Sequence, residues 1–295
     1  MIEMRVLKYF LVVAQEESIT RAAKVLLTSQ PNLSKQMADL ERQVGHKLFE
    51  RGSRKIALTE EGVFLRRRAQ EIVELGERTE DELATFGERI AGTVHIGAAE
   101  SRSMKLLADA MVSLRLTHPL IDFDVFSGST AEVSDRLRTG IVDFAVLVAP
   151  FDQSEYDYLR FPKSDSFGLL MRKDSPLAEL DAVSPGDVEG RPVLVARQQL
   201  EGNVLSGWLG DDMTTALDIA ATFNLVTTPA MMVEAGLGEA FCFGGLVDVS
   251  EESPLTFRPL TPALDTQLYL VWKKYQQLPR PAQEFLEAAR GILVS

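Results

Sequence analysis

The sequence predicts an α/β protein whose N-terminal part is mainly helical. Apolar residues between positions 18 and 44 recur at helical spacing, and the segment from Thr59 to Gly87 contains no proline. From Thr93 onward, short β-rich runs alternate with amphipathic helices. This alternation is typical of α/β architecture with mostly parallel sheets. A length of 295 residues is sufficient for two or three domains with cores of their own.

Two short helices at a tight angle are predicted after a first helix that runs from about Leu7 to Glu17. The earlier of the two has Ser18 or Thr20 available as its N-cap. The spacing of its apolar residues predicts one buried stripe, formed by Ala22, Ala23, Leu26 and Leu27. A polar break at Thr28 and Ser29 separates it from the next helix.

The next helix has Ser29 as its cap and Pro31 in its first turn, where a missing N–H is not needed. Its apolar residues lie three or four positions apart and predict a buried face of Leu33, Met37, Leu40 and Val44. The outward face then carries Asn32, Ser34, Lys35 and Gln36. These side chains are suited to contacts with base edges and phosphates.

A basic hairpin is predicted from Leu48 to Leu58, with Gly52 at its tip. Together with the two helices, it closely resembles the winged helix-turn-helix of LysR-type transcriptional regulators. The matching positions are Ser18, Thr20, Ala22, Ala23, Ser29, Gln30, Pro31, Leu33, Ser34, Leu40, Glu41, Gly45, Leu48, Phe49, Arg51, Leu58, Thr59 and Gly62. Two positions depart from the family pattern: Asn32 replaces a small residue, and Lys35 stands where Arg is common.

The resemblance implies a DNA-binding surface on the third helix and the hairpin. Its predicted contact residues are Ser29, Gln30, Pro31, Asn32, Ser34, Lys35, Gln36, Arg51, Arg54 and Lys55. Because Lys lacks the fork of an Arg side chain, we expect Lys35 to contact phosphate rather than a base.

The charge distribution agrees with this expectation. The net charge of the chain is −12, but the segment from Arg21 to Lys55 contains eight basic and three acidic residues. Screening confines phosphate attraction to ~10 Å, so a local basic patch can act despite an acidic body.

The proline-free segment from Thr59 to Gly87 is predicted to be one long helix. A stripe at alternating spacings of four and three predicts a dimerising linker helix, although the stripe could instead pack on its own domain. The stripe consists of Leu65, Ala69, Ile72, Gly76, Thr79, Leu83 and Phe86.

Weaker motifs extend the resemblance through the rest of the chain, at 92–97, 137–143 and 232–238. In the LysR family, the effector domain resembles a type 2 periplasmic binding protein. The implied domains are a winged helix-turn-helix at 1–60, a linker helix at 61–90 and an effector domain at 91–295. Subdomain I comprises 91–161 and 267–295, and subdomain II comprises 162–266, with a ligand cleft between them.

Ligands of open α/β sheets bind beyond the carboxyl ends of strands, near helix N-termini. The predicted effector-binding residues at such positions are Ser101, Ser129, Thr130, Arg197 and Thr228. Each hydroxyl could instead cap a helix, and Arg197 could be a solvated surface cation. The acidic stretch of Asp152, Glu155 and Asp157 is predicted to be a solvated loop.

Enzyme signatures are missing, so we predict no catalytic activity. The sequence contains no G-x-S-x-G, Walker loop or G-x-G-x-x-G after a strand, and its three histidines lack metal-ligand spacing. We expect no cofactor and no metal. The single Cys242, between two phenylalanines, is predicted to be a buried small hydrophobe. Since no apolar run approaches ~18 residues and no signal peptide is present, we expect a cytoplasmic protein.

The resemblance implies a transcriptional regulator of double-stranded promoter DNA. Such a regulator would bind as a homodimer through its linker helices, assemble into a homotetramer and respond to a small-molecule effector. Two alternatives are a ligand-binding protein or enzyme whose N-terminal segment serves only assembly, and an architectural DNA-binding protein without an effector. The sequence does not identify the effector or the regulated genes.

Overall fold

A computed structural model of the chain describes residues 2–51, 56–84, 90–149, 151, 153–201, 204–210 and 217–294. The chain divides into two units, Met1–Phe86 and Gly87–Ser295. None of the described helices is long and apolar enough to cross a lipid bilayer.

The N-terminal unit consists of three helices, a hairpin and a long fourth helix. Its elements are α1 (Met4–Glu16), α2 (Ile19–Val25), α3 (Gln30–Val44), β1 (Phe49–Arg51), β2 (Ile56–Leu58) and α4 (Glu60–Ala84). The Ser18 hydroxyl accepts a hydrogen bond from the Arg21 N–H, and the Ser29 hydroxyl accepts one from the Asn32 N–H. Ser18 rather than Thr20 therefore caps α2, and the prediction that Ser29 caps α3 is confirmed.

One hydrophobic core joins these elements. Its buried residues are Leu7, Phe10, Val13, Ala22, Ala23, Leu33, Met37, Leu40, Leu48, Ala69 and Val73. The predicted buried face of α3 is confirmed, with Val44 half-buried at the edge of the core. Because α3 buries this face, its opposite face remains available to solvent.

The prediction was wrong for Leu27, in the turn between α2 and α3. Helix α2 ends at Val25, and Leu27 has a φ of 50° and is 94% exposed. A residue in the left-handed region no longer follows the helical period of 100° per residue. The Leu27 side chain therefore leaves the apolar stripe, which retains Ala22, Ala23 and Leu26.

Helix α4 contacts its own unit along half of the predicted stripe, so for that half the alternative of packing on its own domain is realised. The dimerising role of the stripe stays a prediction. Ala69 is fully buried, and a side chain at Gly76 would collide with the sulfur of Met4 in α1. The Lys8 ammonium and the Glu77 carboxylate, 2.7 Å apart, also join α1 to α4. Residues three positions apart differ by about 60° around a helix, so one heptad stripe can divide between two environments.

The other half of the stripe faces solvent. Ile72, Thr79 and Leu83 are exposed there, and two apolar residues outside the predicted stripe, Phe64 and Leu75, join them. These five positions fall within about 100° of the helix circumference. Phe86 lies outside the described residues.

The larger unit contains two α/β subdomains. Subdomain I has a five-stranded sheet in the order β4, β3, β5, β13, β6. Its strands are β3 (Gly92–Ala98), β4 (Ile121–Ser127), β5 (Phe144–Val148), β6 (Tyr156–Arg160) and β13 (Leu268–Lys273), and its helices are α5 (Met104–Thr117), α6 (Thr130–Thr139) and α10 (Arg280–Leu293).

Subdomain II has a second sheet in the order β11, β7, β10, β8, β9, with the short β12 paired to β7. Its strands are β7 (Asp165–Arg172), β8 (Pro192–Ala196), β9 (Asp218–Phe223), β10 (Glu239–Phe243), β11 (Leu255–Pro259) and β12 (Asp265–Thr266). Its helices are α7 (Arg197–Glu201), α8 (Val204–Leu209) and α9 (Thr227–Glu234), with 3₁₀ turns at Pro176–Glu179 and Pro185–Val188.

Both sheets are mixed, so the expectation of mostly parallel sheets was too simple. β3 pairs in parallel with β4 and β5, and β8 with β9 and β10, whereas β7 and β13 pair antiparallel with each of their neighbours. β7 and β13 are the strands that follow the two crossings between subdomains, and they enter their sheets from the opposite direction.

The prediction of a solvated loop was wrong for Asp157, which lies in strand β6, and Asp152 lies outside the described residues. Only Tyr156 and Leu159 are buried in this strand. It forms an edge of the sheet, so its burial does not alternate with a period of two and its sequence carries a weak strand signal.

The two crossing segments lie side by side. The Phe161 N–H donates to the Leu268 carbonyl at 3.0 Å, and Gln267 Nε2 donates to the Phe161 carbonyl at 2.8 Å. Asp165 and Thr266 are paired in the β7–β12 ladder. The subdomains are therefore joined by a narrow pair of hydrogen-bonded strands, a connection suited to a hinge.

Candidate DNA-binding surface and effector cleft

The first turns of α3 display polar side chains to solvent. Gln30, Pro31, Asn32 and Lys35 are exposed, and Ser34 and Gln36 are half-buried on the flanks. Asn32 Nδ2 donates to the Thr28 hydroxyl at 3.0 Å, which holds the amide at the start of the helix. Ser29 caps the helix, so its hydroxyl already has a backbone partner.

The exposed cations near α3 differ in how they are paired. Arg42 forms an ion pair with Asp39, and Lys47 Nζ lies 2.8 Å from the Glu41 carboxylate. Within the described part of the chain, no carboxylate forms an ion pair with Lys35. On the exposed face of α3, the Lys35 ammonium group can therefore contact a phosphate without first breaking an ion pair.

The hairpin is fixed to α3 by Glu41. Its carboxylate accepts hydrogen bonds from the Leu48 N–H at 2.9 Å and the Phe49 N–H at 3.3 Å, in addition to the Lys47 ammonium. Burial acts to raise the pKa of Glu41, but these hydrogen bonds outweigh it and lower the pKa below its ordinary value of 4.5. The carboxylate thus positions the base of the hairpin. Gly52, Arg54, Lys55 and the Arg51 side chain lie outside the described residues.

In the larger unit, the loops after β3, β4, β8, β9 and β10 come from both subdomains and contact one another where the subdomains meet. We call this junction the candidate effector cleft. Ser101 lies in the loop after β3 and is buried. The Ser101 hydroxyl donates a hydrogen bond to the Asp165 carboxylate and accepts one from the Ser103 N–H at 2.9 Å. The Asp165 carboxylate also accepts a hydrogen bond from the Ser103 hydroxyl at 2.8 Å. Ser101 therefore joins this loop to the first residue of β7, beside the crossing segments.

Ser129 and Thr130 occupy the N-terminus of α6. Ser129 is the N-cap and forms a capping box with Glu132. The Thr130 N–H and hydroxyl both donate to Gln198 Oε1 of subdomain II, at 3.1 and 3.4 Å. Ser129 therefore caps a helix, as the alternative to ligand binding predicted, whereas Thr130 makes a contact between the subdomains.

Arg197 and Thr228 lie on the other side of the cleft. Arg197 begins α7 directly after β8, Thr228 is in the first turn of α9, and both are exposed. Their contact with an effector remains a prediction.

Glu100 makes a second polar contact between the subdomains. Its Oε2 atom accepts a hydrogen bond of 2.6 Å from the Val226 N–H, at the N-cap position of α9. Arg102, in the same loop, lies against Gly245 of subdomain II. The loop after β3 therefore contacts subdomain II through successive residues.

The sequence reasoning missed Glu100, Ser103, Asp165 and Gln198. Glu100 precedes Ser101, Ser103 lies two residues after it, and Gln198 follows Arg197. Each is therefore within two residues of a residue that was selected by its position after a strand. Extending the strand-end argument by two residues would have found these three. Asp165 had no such signal, because its partners are more than 60 residues away in the sequence.

No group of three or more His, Cys, Asp or Glu side chains among the described residues could hold a metal ion. Cys242 is buried in β10, as predicted, and burial raises the pKa of its thiol to about 12. Glu100 contributes to this shift through its negative charge. The thiol therefore stays protonated at neutral pH, which makes it a poor nucleophile.

Comparison with known proteins agrees with this arrangement. The family model described as "Bacterial regulatory helix-turn-helix protein, lysR family" matches residues 4–63, and "LysR substrate binding domain" matches residues 87–293. The Hca operon transcriptional activator HcaR of Escherichia coli (strain K12) is 27% identical over 297 residues, 99% of each chain. The regulator BsdA of Bacillus subtilis (strain 168) is 26% identical over 300 residues, 97% of this chain and 99% of its own.

Solved structures show the same fold. The crystal structure of CbnR, described as a LysR family transcriptional regulator, aligns with a TM-score of 0.75 at 18% identity over 99% of both chains. The structure of full-length CbnR complexed with its target DNA aligns with a TM-score of 0.72 at 18% identity, over 98% of this chain and 99% of that one. The two family matches span nearly the whole sequence, and the chain therefore belongs to the LysR family of DNA-binding transcriptional regulators.

Proposed function

We propose that this regulator binds promoter DNA with α3 in the major groove, assembles through α4, and responds to a small organic acid bound in the effector cleft. The observation that carries the DNA part is the exposed polar turn of α3, in which Asn32 and Lys35 project from a helix whose opposite face is buried. An exposed helix face of this kind fits the ~12 Å width of a major groove.

Asn32 and Lys35 are assigned different roles. The Asn32 amide can form paired hydrogen bonds with an adenine edge once its bond to Thr28 is released. Lys35 supplies a point charge to a phosphate. Gln30, Ser34 and Gln36 provide further contacts, and the hairpin cations reach the flanking backbone.

Fluorescence anisotropy with promoter DNA and a scrambled duplex, over a range of salt concentrations, tests these roles. Asn32→Ala should reduce discrimination between the duplexes by ~1–3 kcal/mol. Lys35→Ala should weaken binding to the two duplexes equally and should reduce the slope of log affinity against log salt concentration by roughly one. Lys105→Ala, which removes an exposed cation of the larger unit, is the control. If neither α3 variant changes binding, α3 is not the recognition helix.

Assembly is assigned to the exposed apolar stripe of α4. Phe64, Ile72, Leu75 and Leu83 are 60%, 51%, 41% and 66% exposed, which is unfavourable for large apolar side chains that face water. A second copy of the helix would cover them and place two recognition helices on one duplex, ~34 Å apart. Two such dimers would form the tetramer.

The effector is assigned to the cleft because five strand-end loops meet there and two helix N-termini, those of α6 and α9, face it. Helix N-termini favour anions, and Arg197 adds a nearby cation. A change in the angle between the subdomains would then alter the bend of the bound DNA. This function requires no catalysis, and a regulator that binds promoter DNA would act in the cytoplasm.

A thermal-shift screen of small acids tests the effector assignment. An acid present at 100 times its Kd should add ~2.7 kcal/mol to the stability of the larger unit. If the contact is direct, Arg197→Ala should reduce the affinity for the identified acid by ~10–100-fold, since a hydrogen bond to a charged group contributes roughly 1.5–3 kcal/mol. Arg115→Ala, an exposed cation elsewhere in subdomain I, is the control. Unchanged affinity in Arg197→Ala would remove this residue from the site.

A further inference from the structure

The two contacts between subdomains at the helix N-termini are reciprocal. Glu100 of subdomain I accepts a hydrogen bond from the N-terminus of α9 in subdomain II, at 2.6 Å. Gln198 of subdomain II accepts one from the N-terminus of α6 in subdomain I, at 3.1 Å. Each subdomain thus supplies an acceptor to a helix of the other.

Helix α9 depends on this contact more than α6 does. The N-cap of α9 is Val226, which is buried and whose apolar side chain cannot accept a hydrogen bond from the first turn. Helix α6 has its own capping box from Ser129 and Glu132. The Glu100 carboxylate accepts the N–H of Val226 itself, so the hydrogen bond that steadies the start of α9 comes from across the cleft.

Glu100 occupies the position that the N-terminus of α9 offers to an anion. In the described part of the chain, no cation forms an ion pair with Glu100. The negative charge of Glu100 therefore interacts with the positive end of the α9 helix dipole. An acid that approaches this N-terminus meets a carboxylate already bound there.

Resting on the effector cleft proposed above, we propose that Glu100 and Gln198 form a latch that holds the cleft closed without effector, and that an acidic effector displaces Glu100 from α9. A ligand that must compete with the latch binds with an affinity reduced by the fraction of protein in the open form. Removal of the Glu100 carboxylate should open the cleft and leave the α9 N-terminus free for an added carboxylate.

Hydrogen exchange of the full chain, without DNA or effector, tests the latch. Glu100→Ala should accelerate exchange at least 10-fold at the Val226 amide and also at the Thr130 amide, which Glu100 does not touch. This second effect follows because both hydrogen bonds require the closed arrangement. Glu132→Ala removes an acceptor at the α6 N-terminus within one subdomain, and it should leave Val226 unchanged.

Acetate is the probe for the vacated position. In Glu100→Ala, acetate should restore slow exchange at Val226, whereas in the wild type it should have no effect. If Glu100→Ala changes Val226 alone, Glu100 is only a cap and the latch is refuted. If acetate fails to restore protection, the displacement by an acid is refuted. Both readouts are independent of DNA binding, so their failure is distinct from failure of the proposed regulatory function.

Discussion

Asp143 and His95 form a reciprocal pair inside subdomain I. The fully buried Asp143 carboxylate accepts a hydrogen bond of 2.9 Å from the backbone N–H of His95. The backbone N–H of Asp143 donates in turn to the His95 carbonyl at 2.8 Å. This pair joins the middle of β3 to the residue before β5. It holds β5 in register with β3, the strand whose following loop reaches the candidate effector cleft.

Two carboxylates contact His95, so the contribution of the buried Asp143 to stability can be compared with that of the exposed Asp124. Asp143→Ala leaves a backbone N–H without its charged acceptor and should cost ~1.5–3 kcal/mol, which lowers the midpoint of thermal unfolding of the larger unit by about 5–10 °C. Asp124→Ala removes the partner of the His95 imidazole and should change little, because the Asp124 side chain is 69% exposed. Tryptophan fluorescence is the measurement, because both tryptophans, Trp208 and Trp272, lie in this unit. Equal midpoints for the two variants would contradict the assignment.

Glu41 should make the stability of the N-terminal unit depend on pH. Its pKa is lowered in the folded state, so its stabilisation is present above the unfolded value of about 4.5 and is lost as the pH falls through the folded value. Glu41→Gln should reduce stability by about 2 kcal/mol at pH 7, and the difference from wild type should shrink below pH 4.5. Hydrogen exchange of the α3 amides measures this, with exposed Glu80→Gln as control. A difference that is the same at pH 4 and pH 7 would be inconsistent with this mechanism.

Leu27 should be replaceable with a gain in stability. Its positive φ is unfavourable for leucine, and its side chain is solvent-exposed, so the conformational cost is not offset by burial. Leu27→Asn should stabilise the N-terminal unit by ~1 kcal/mol, because Asn adopts the left-handed region more readily. The neighbouring Leu26→Asn should destabilise it, since Leu26 packs against the core. Hydrogen exchange of α3 compares the two, and a loss of stability in Leu27→Asn would disprove the strain argument.

Ile72 tests the proposal that the exposed stripe of α4 joins two protomers. Ile72→Glu places a charge in the exposed stripe and should dissociate the dimer without unfolding either unit. Val63→Glu is matched to it, because Val63 is 53% exposed but lies outside the stripe, and it should leave the mass unchanged. Light scattering distinguishes the two variants. If both retain the wild-type mass, another surface carries the dimer.

Local sequence signals determined much of the N-terminal unit. Caps and helical periodicity depend on residues within a few positions of one another, so Ser29 and the buried face of α3 followed from spacing alone. The cap of α2 was limited to Ser18 or Thr20, and the structure selected Ser18. The left-handed turn at Leu27 did not follow from spacing, because leucine is an improbable residue for that conformation. The long α4 was predicted as a helix, but the assignment of its faces required the position of α1.

For the larger unit, the sequence alone determined the alternation of strands and helices, the burial of Cys242 and the placement of Ser101, Thr130 and Arg197 after strands. Only the tertiary structure decided what those loops contact. Asp165 meets Ser101, Gln198 meets Thr130 and Glu100 meets Val226 across separations of 64, 68 and 126 residues. Hydrogen bonds of this kind leave no period in the sequence, because they depend on how two separately formed sheets are joined at the crossing segments.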